Sequence, residues 1–179
     1  QKQKTKQNAI GTLHEEILGS IEGVENLPVG NLIDIKCDEK KIIAEIKNKH
    51  NTTKGNHKVQ IYRDLANKLE QLPGYIGYYV EVLPKGQKSY NKPFTPSDNQ
   101  TGTQLLERQD IRVIDGRSFY ALLTGSSNAL DELYKELPMI ISEIVSEQFD
   151  TVLEPKKITD SDLFSEFYIK AYGNLSEIS

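Results

Sequence analysis

Cysteine is almost absent from this chain: its 179 residues contain one, Cys37. A single thiol excludes an intrachain disulfide framework and any all-cysteine zinc site, and a reducing cytoplasm is the expected location. Long apolar runs are missing as well. None approaches the roughly 20 residues that a membrane span needs, so no membrane partner is expected, and no signal-peptide pattern opens the chain. The first residue is Gln1 rather than Met, and the expectation is that N-terminal sequence has been removed or left out. Repeats and low-complexity tracts are lacking too.

An overall positive charge is also lacking, since the net charge is -4. The charge is unevenly placed, however. Between Lys36 and Lys68 nine Lys/Arg stand against four Asp/Glu, a balance of +5. From Asn128 to Ser179 four Lys stand against eleven Asp/Glu, a balance of -7. A basic centre with an acidic tail predicts a polyanion-binding face on one side of the molecule.

What the chain does contain is a regular alternation of elements. Lys6 to Ser20 repeats apolar groups at helical spacing through Ala9, Ile10, Leu13, Ile17 and Leu18. Two Ile-rich runs, Asn31–Cys37 and Lys41–Asn48, read as strands joined through the polar Asp38–Lys41 connection. Val59 to Leu69 is amphipathic at helical period and stops before Pro73-Gly74. Tyr75–Leu83 is apolar enough for a central strand, and Ile111–Ile114 reads as a fourth strand with a helix from Phe119 to Leu123 behind it. Between them lies a long polar stretch, residues 84–110, of a length that marks a functional or disordered insertion. Asn128–Gln148 predicts a further helix, with Leu130, Leu133, Leu137, Ile140, Ile141 and Ile144 as its buried stripe, and Asp162–Ala171 another. The order implies one α/β domain over residues 1–179, a mixed central sheet flanked by helices.

The two Ile-rich strands carry the chemistry. If Cys37 faces Ile42 across the connection, paired residue numbers add to 79, and Asp34 falls opposite Glu45. Opposed residues share a face with Cβ atoms about 4.5–5.5 Å apart, so two carboxylates there repel one another and destabilise the hairpin. A divalent cation between them removes that cost. Lys47, two residues past Glu45, projects from the same face. Two carboxylates and an ammonium on a rigid hairpin suit phosphodiester hydrolysis, with Mg²⁺ held by Asp34, Glu45 and the main-chain carbonyl of Ile46. Lys47 would orient the attacking water or offset charge building on phosphorus.

The stretch Gly30-Asn31-Leu32-Ile33-Asp34 followed by Lys41–Lys49 resembles the active-site hairpin of PD-(D/E)XK nucleases. Three further stretches, Glu45–Gly55, Tyr90–Asp98 and Ile111–Tyr120, are similar to one branch, the type II restriction endonucleases that cut GGNCC or GGWCC sites. The likeness runs from about Asn8 to Leu137. It implies a restriction-endonuclease-like core and Asp34, Glu45 and Lys47 as first acid, second acid and lysine. Ile33 stands where the superfamily name has proline. The resemblance further implies Mg²⁺ as cofactor with Mn²⁺ able to substitute, double-stranded DNA as substrate and a homodimer matched to a palindrome. A structure-specific or repair nuclease on the same fold, and a DNA-binding module without activity, are the competing readings.

Other residues take secondary roles. Glu15 and Glu16, on the first helix, are candidates for an additional acid; their neighbour His14 could face the site but reads first as a surface or capping histidine. The loop with Asn48, Lys49, Asn51, Thr52, Thr53 and Lys54 leaves the catalytic strand and suits phosphate and sugar contacts. The 84–110 segment and the strand after it form the expected base reader. They offer Lys85, Lys88, Asn91, Lys92, Arg108 and Arg112 with Tyr90 and Phe94 interleaved, and Arg or Lys can bridge guanine O6 and N7. Arg117 either caps the following helix or touches phosphate.

Overall fold

The computed structural model describes residues 14–136, except positions 16, 29, 50–52, 85, 87 and 134 and the side chains at 48 and 49. Most of the expected first helix, the acidic tail and everything past 136 therefore lie outside the described residues. Among the described residues no helix is long and apolar enough to cross a membrane.

Six strands form one sheet in the order β1-β2-β3-β4-β6-β5. They are β1 (Val24–Asn26), β2 (Ile35–Cys37), β3 (Ile42–Lys49), β4 (Ile76–Leu83), β5 (Asn91–Pro93) and β6 (Ile111–Asp115). β3, β4 and β6 run parallel, while β1, β2 and β5 are antiparallel to their neighbours. The sheet is thus mixed, as expected. The expected third and fourth strands correspond to β4 and β6. The three-residue β1 and β5 are additions, too short and polar to show any alternation.

Parallel neighbours need a crossover, and helix α1 (Gly55–Glu70) supplies it between β3 and β4. Helix α2 (Gly116–Thr124) follows β6 directly. Its N-cap is Asp115, whose carboxylate accepts from Ser118 N–H at 3.0 Å, and it ends at Gly125, left-handed at φ 75°. The expected helix from Phe119 to Leu123 is the inner part of α2.

Alternation along the strands divides the core into two layers. Ile42, Ala44 and Ile46 of β3, with Val80 and Ile114, pack toward Leu18, Phe119 and Leu130 on the α2 side. Ile43, Tyr79, Ile111 and Val113 pack toward Ile61, Leu65 and Leu69 of α1. Close approach of each helix requires a glycine. A Cβ on Gly77 would stand 3.2 Å from a Leu65 methyl, and one on Gly116 would stand 2.6 Å from the carbonyl oxygen of Val82.

The 84–110 segment is built into the fold. β5 pairs along β6 at the sheet edge, where its Pro93 costs no central ladder bond. Phe94, expected among the base readers, is instead a core residue, its ring centroid 4.8 Å from that of Tyr79. His14 also departs from expectation. It is buried, with Nδ1 2.8 Å from the Tyr120 hydroxyl, and burial pulls its pKa down to about 4. An imidazole on an amphipathic helix is silent about which face it takes until a partner for its ring nitrogen is known. Arg117, for which a helix cap or a phosphate contact was expected, pairs its guanidinium with buried Asp131 at 3.2 Å and joins α2 to the next helical residues.

Candidate active site

The β2–β3 register is the one the sequence predicts: Cys37 faces Ile42, Lys36 faces Ile43 and Ile35 faces Ala44. The turn closes with Lys41 at φ 53°, a left-handed residue ending the four-residue connection. The ladder stops one pair short of Asp34. There the Asp34 N–H donates to the Ala44 carbonyl at 2.9 Å, a step out of register, and its own carbonyl accepts from Leu27 N–H at 2.8 Å. The Asp34 main chain is thereby fixed between two segments. Its carboxylate reaches over the end of the ladder, and Oδ2 accepts from Ile46 N–H at 2.7 Å.

Although Asp34 has left the ladder, its carboxylate stays close enough to Glu45 for its charge to act there. The Glu45 pKa is raised to about 7, first by burial and then by the Asp34 charge, with Lys47 opposing both. Lys47 donates from Nζ to Glu45 Oε1 at 2.6 Å. Burial on its own would lower the Lys47 pKa, but the charge and hydrogen bond of Glu45, with Asp34 and Glu15 behind, outweigh it and raise the value. The ammonium is held charged. Glu15, expected as a possible additional acid, is half-buried, and its charge acts on Lys47. Glu16 lies outside the described residues.

Ile46 contributes through its main chain, its side chain being buried in the α2-side core. In a strand the N–H and C=O of one residue point to the same edge. Since Ile46 N–H points at Asp34, its carbonyl also faces the edge that β2 has vacated. The Asp34 and Glu45 carboxylates and the Ile46 main chain thus lie at one end of the hairpin. Three side chains of the His/Cys/Asp/Glu kind are not gathered there among the described residues.

Beyond the hairpin the same face continues across the sheet. In register with Glu45 stands Tyr79, and in register with Lys47 stand Glu81 and then Asp115. Tyr79 donates to Thr53 Oγ1 at 3.0 Å, so Thr53, expected at a phosphate, is a buried partner of the sheet. Lys54 is exposed at the start of α1, while positions 51 and 52, with the side chains at 48 and 49, lie outside the described residues.

The expected readers separate into two groups. Lys92 is exposed, level with Val113 on the Glu45 face, its Nζ 5.8 Å from the Tyr90 ring centroid; Lys88 is exposed nearby in sequence. Lys85 lies outside the described residues. Tyr90 spends its hydroxyl on Glu81 Oε1 at 3.0 Å and its N–H on Asp115 Oδ1 at 2.8 Å. Arg108 is paired bidentately with Asp110 at 2.9 and 2.7 Å. Arg112 leaves β6 on the opposite face from Glu45, as strand alternation demands, and holds Asn91 through its side chain at 2.6 Å and its carbonyl at 2.9 Å. Both arginines are thus engaged in holding the segment's own conformation.

Two residues of this face were not anticipated. Glu81 lies inside an apolar strand, and Lys58 sits on α1 with Nζ 5.9 Å from the Tyr79 ring centroid. An acid in the middle of a central-strand run was the available signal.

The profile of the Eco47II restriction endonuclease family matches residues 1–146. The type II restriction enzyme Eco47II of Escherichia coli is 40% identical over 177 residues, which cover 97% of this chain and 73% of that protein. The type II restriction enzyme Sau96I of Staphylococcus aureus is 31% identical over 182 residues, covering 100% of this chain and 68% of that protein. No solved structure matches the chain significantly. With a profile match over most of its length and two such relatives, this chain belongs to the Eco47II restriction endonuclease family.

Proposed function

We propose that this chain, as one nuclease domain, cleaves double-stranded DNA at a short palindrome of the GGNCC kind, with Mg²⁺ as cofactor and a homodimer as the acting species. Family membership supports site-specific endonuclease activity, and relatives named type II restriction enzymes match over nearly the whole chain. The observation that carries the assignment of residues is the meeting of Asp34 and Glu45 beside the Lys47 ammonium.

The donor set fits a hard cation. Two carboxylates in contact, with Glu45 raised toward neutrality by burial and by its neighbour, form a pair that a positive charge would stabilise. Asp34, Glu45 and the Ile46 carbonyl would hold Mg²⁺, which prefers oxygen ligands and keeps places for water and phosphate. When bound, such an ion polarises the scissile phosphate and lowers the pKa of water.

The chain's own residues supply the rest. The Ile46 N–H fixes one oxygen of Asp34. Lys47, held charged, orients the attacking water and offsets negative charge growing on the phosphoryl oxygens. Exposed Lys54, Lys88 and Lys92 supply phosphate contacts, and a two-fold dimer would bring one site to each strand of a palindrome.

Incubation with Mg²⁺ and a long DNA of known sequence tests the reading. Discrete fragments sharing a GGNCC-like end are expected. A smear, cutting confined to junctions, or binding without cleavage would each overturn it.

A further inference from the structure

The same face holds a buried carboxylate that the reaction outlined above does not use. Glu81 has 7% of its surface exposed. One oxygen, Oε1, accepts from the Tyr90 hydroxyl at 3.0 Å. The other, Oε2, has no hydrogen-bond partner among the described residues; the Lys58 ammonium is 3.9 Å away, beyond hydrogen-bond distance. A buried carboxylate oxygen left in this state is costly, so a working form of the protein should fill it. The candidate nearest in the sheet is Lys47. It is the register partner of Glu81 on the adjacent parallel strand, and partners in neighbouring strands lie about 4.8 Å apart with side chains on one face.

Lys47 now rests on Glu45. Any cation drawn to Asp34 and Glu45 competes with the ammonium for the same carboxylate and repels it. We propose that Glu81 is a positioning residue for Lys47: it receives the ammonium when Glu45 is taken by a divalent cation, and Tyr90 locks its carboxylate for that purpose. This inference rests on the metal-dependent nuclease reading of the site. It also gives the 84–110 segment a mechanical link to the chemistry. Tyr90 enters β5, its N–H is bound by Asp115 Oδ1, and its hydroxyl reaches the acid beside Lys47.

Lys47 itself can be followed by its reactivity toward an amine-acylating reagent, read by mass spectrometry on the folded protein without DNA. In the absence of divalent ions Glu45 shields Lys47, and wild type and Glu81→Gln should label at similar rates. With Ca²⁺ added, Glu81→Gln should expose Lys47 and label about tenfold faster than wild type, the factor expected for one lost charged contact. In single-turnover cleavage with Mg²⁺, Glu81→Gln and Tyr90→Phe should each lose about tenfold in rate while affinity for the uncut duplex stays within about twofold. Their combination should be no slower than the worse single variant, because both act through one carboxylate.

Equal labelling of Lys47 with Ca²⁺ in wild type and Glu81→Gln would overturn the proposal, as would rates that multiply in the double variant. Tyr90→Phe removes only a hydroxyl, so the test survives if Glu81→Gln fails to fold. If wild type leaves DNA uncut, the nuclease reading fails on its own account, and the labelling still decides whether Glu81 receives Lys47.

Discussion

The Ile46 amide donates to Asp34 Oδ2 at 2.7 Å, and this bond ties the first acid to the strand that carries the second. Asp34 is thereby held by the residue between Glu45 and Lys47 rather than by a ladder pair. Its position depends on a side-chain bond to main chain, and it cannot drift from Glu45 without leaving a buried N–H unsatisfied.

Removing the acids or the lysine should therefore abolish chemistry rather than binding. Asp34→Ala, Glu45→Ala and Lys47→Ala are each expected to lower single-turnover cleavage on the order of a thousandfold while the fold is kept. Rates measured on one duplex, with circular dichroism as a check of folding, decide this. Normal rates in a folded Asp34→Ala or Lys47→Ala protein would remove these residues from the site.

Protons should leave the site when a cation enters it. Glu45 has its pKa raised to about 7 by burial and by Asp34, so below that pH the ion-free protein carries a proton there. A carboxyl whose folded value is raised stabilises the fold fully below its unfolded value near 4.5, and that contribution fades as pH climbs through about 7. Cation binding competes with the same proton, so affinity should strengthen with rising pH up to about 7 and then level off. Calorimetric titration of Mg²⁺ or Ca²⁺ in buffers of different ionisation enthalpy measures the released protons. Release should be larger at about pH 6 than at about pH 8 and absent in Glu45→Gln. Equal release at both would sink the account of Glu45.

Much of this site could be read in the sequence, because a hairpin is local. A four-residue connection and alternating Ile residues fix the 79 register within fifteen residues of chain, and Glu45 and Lys47 follow from strand alternation. What escaped was the last step, where Asp34 leaves the ladder, since the bonds that displace it come from Leu27 and Ala44. Relations across parallel strands were not legible at all. Glu81 is 34 positions from Lys47, and only the crossover through α1 sets their register. In the 84–110 segment and the strand after it, composition did not show which side chains the fold itself engages: Phe94 lies in the core and Arg112 holds the β5–β6 edge.

The β6–α2 corner should tolerate no side chain at its glycine. A Cβ on Gly116 would meet the backbone of Val82 at 2.6–3.0 Å, and main chain inside a central strand cannot yield as a flexible side chain would. Gly116→Ala is expected to cost about 2 kcal/mol of folding stability, in the range for forced overpacking. Denaturant unfolding checks this, with Gly125→Asn as a milder comparison at the left-handed C-cap, where nothing lies within 4 Å. A Gly116→Ala protein as stable as wild type would show that α2 can move off β4.

The separation of basic residues by face predicts which of them touch DNA. Lys54 and Lys92 are exposed, and Lys92 shares the face of Glu45; Arg112 is on the other face and holds Asn91. Binding to a duplex with Ca²⁺ in place of Mg²⁺ should weaken steeply with salt, log K falling with log salt by about 0.9 for every phosphate contacted. Lys54→Ala and Lys92→Ala should each flatten that slope by about 1. Arg112→Ala should leave the slope unchanged and act instead on stability, because its hydrogen bonds join β5 to β6. Affinities measured at several salt concentrations give the slopes directly. A flatter slope in Arg112→Ala, with Lys92→Ala unaltered, would instead place the DNA on the opposite face of the sheet from Glu45.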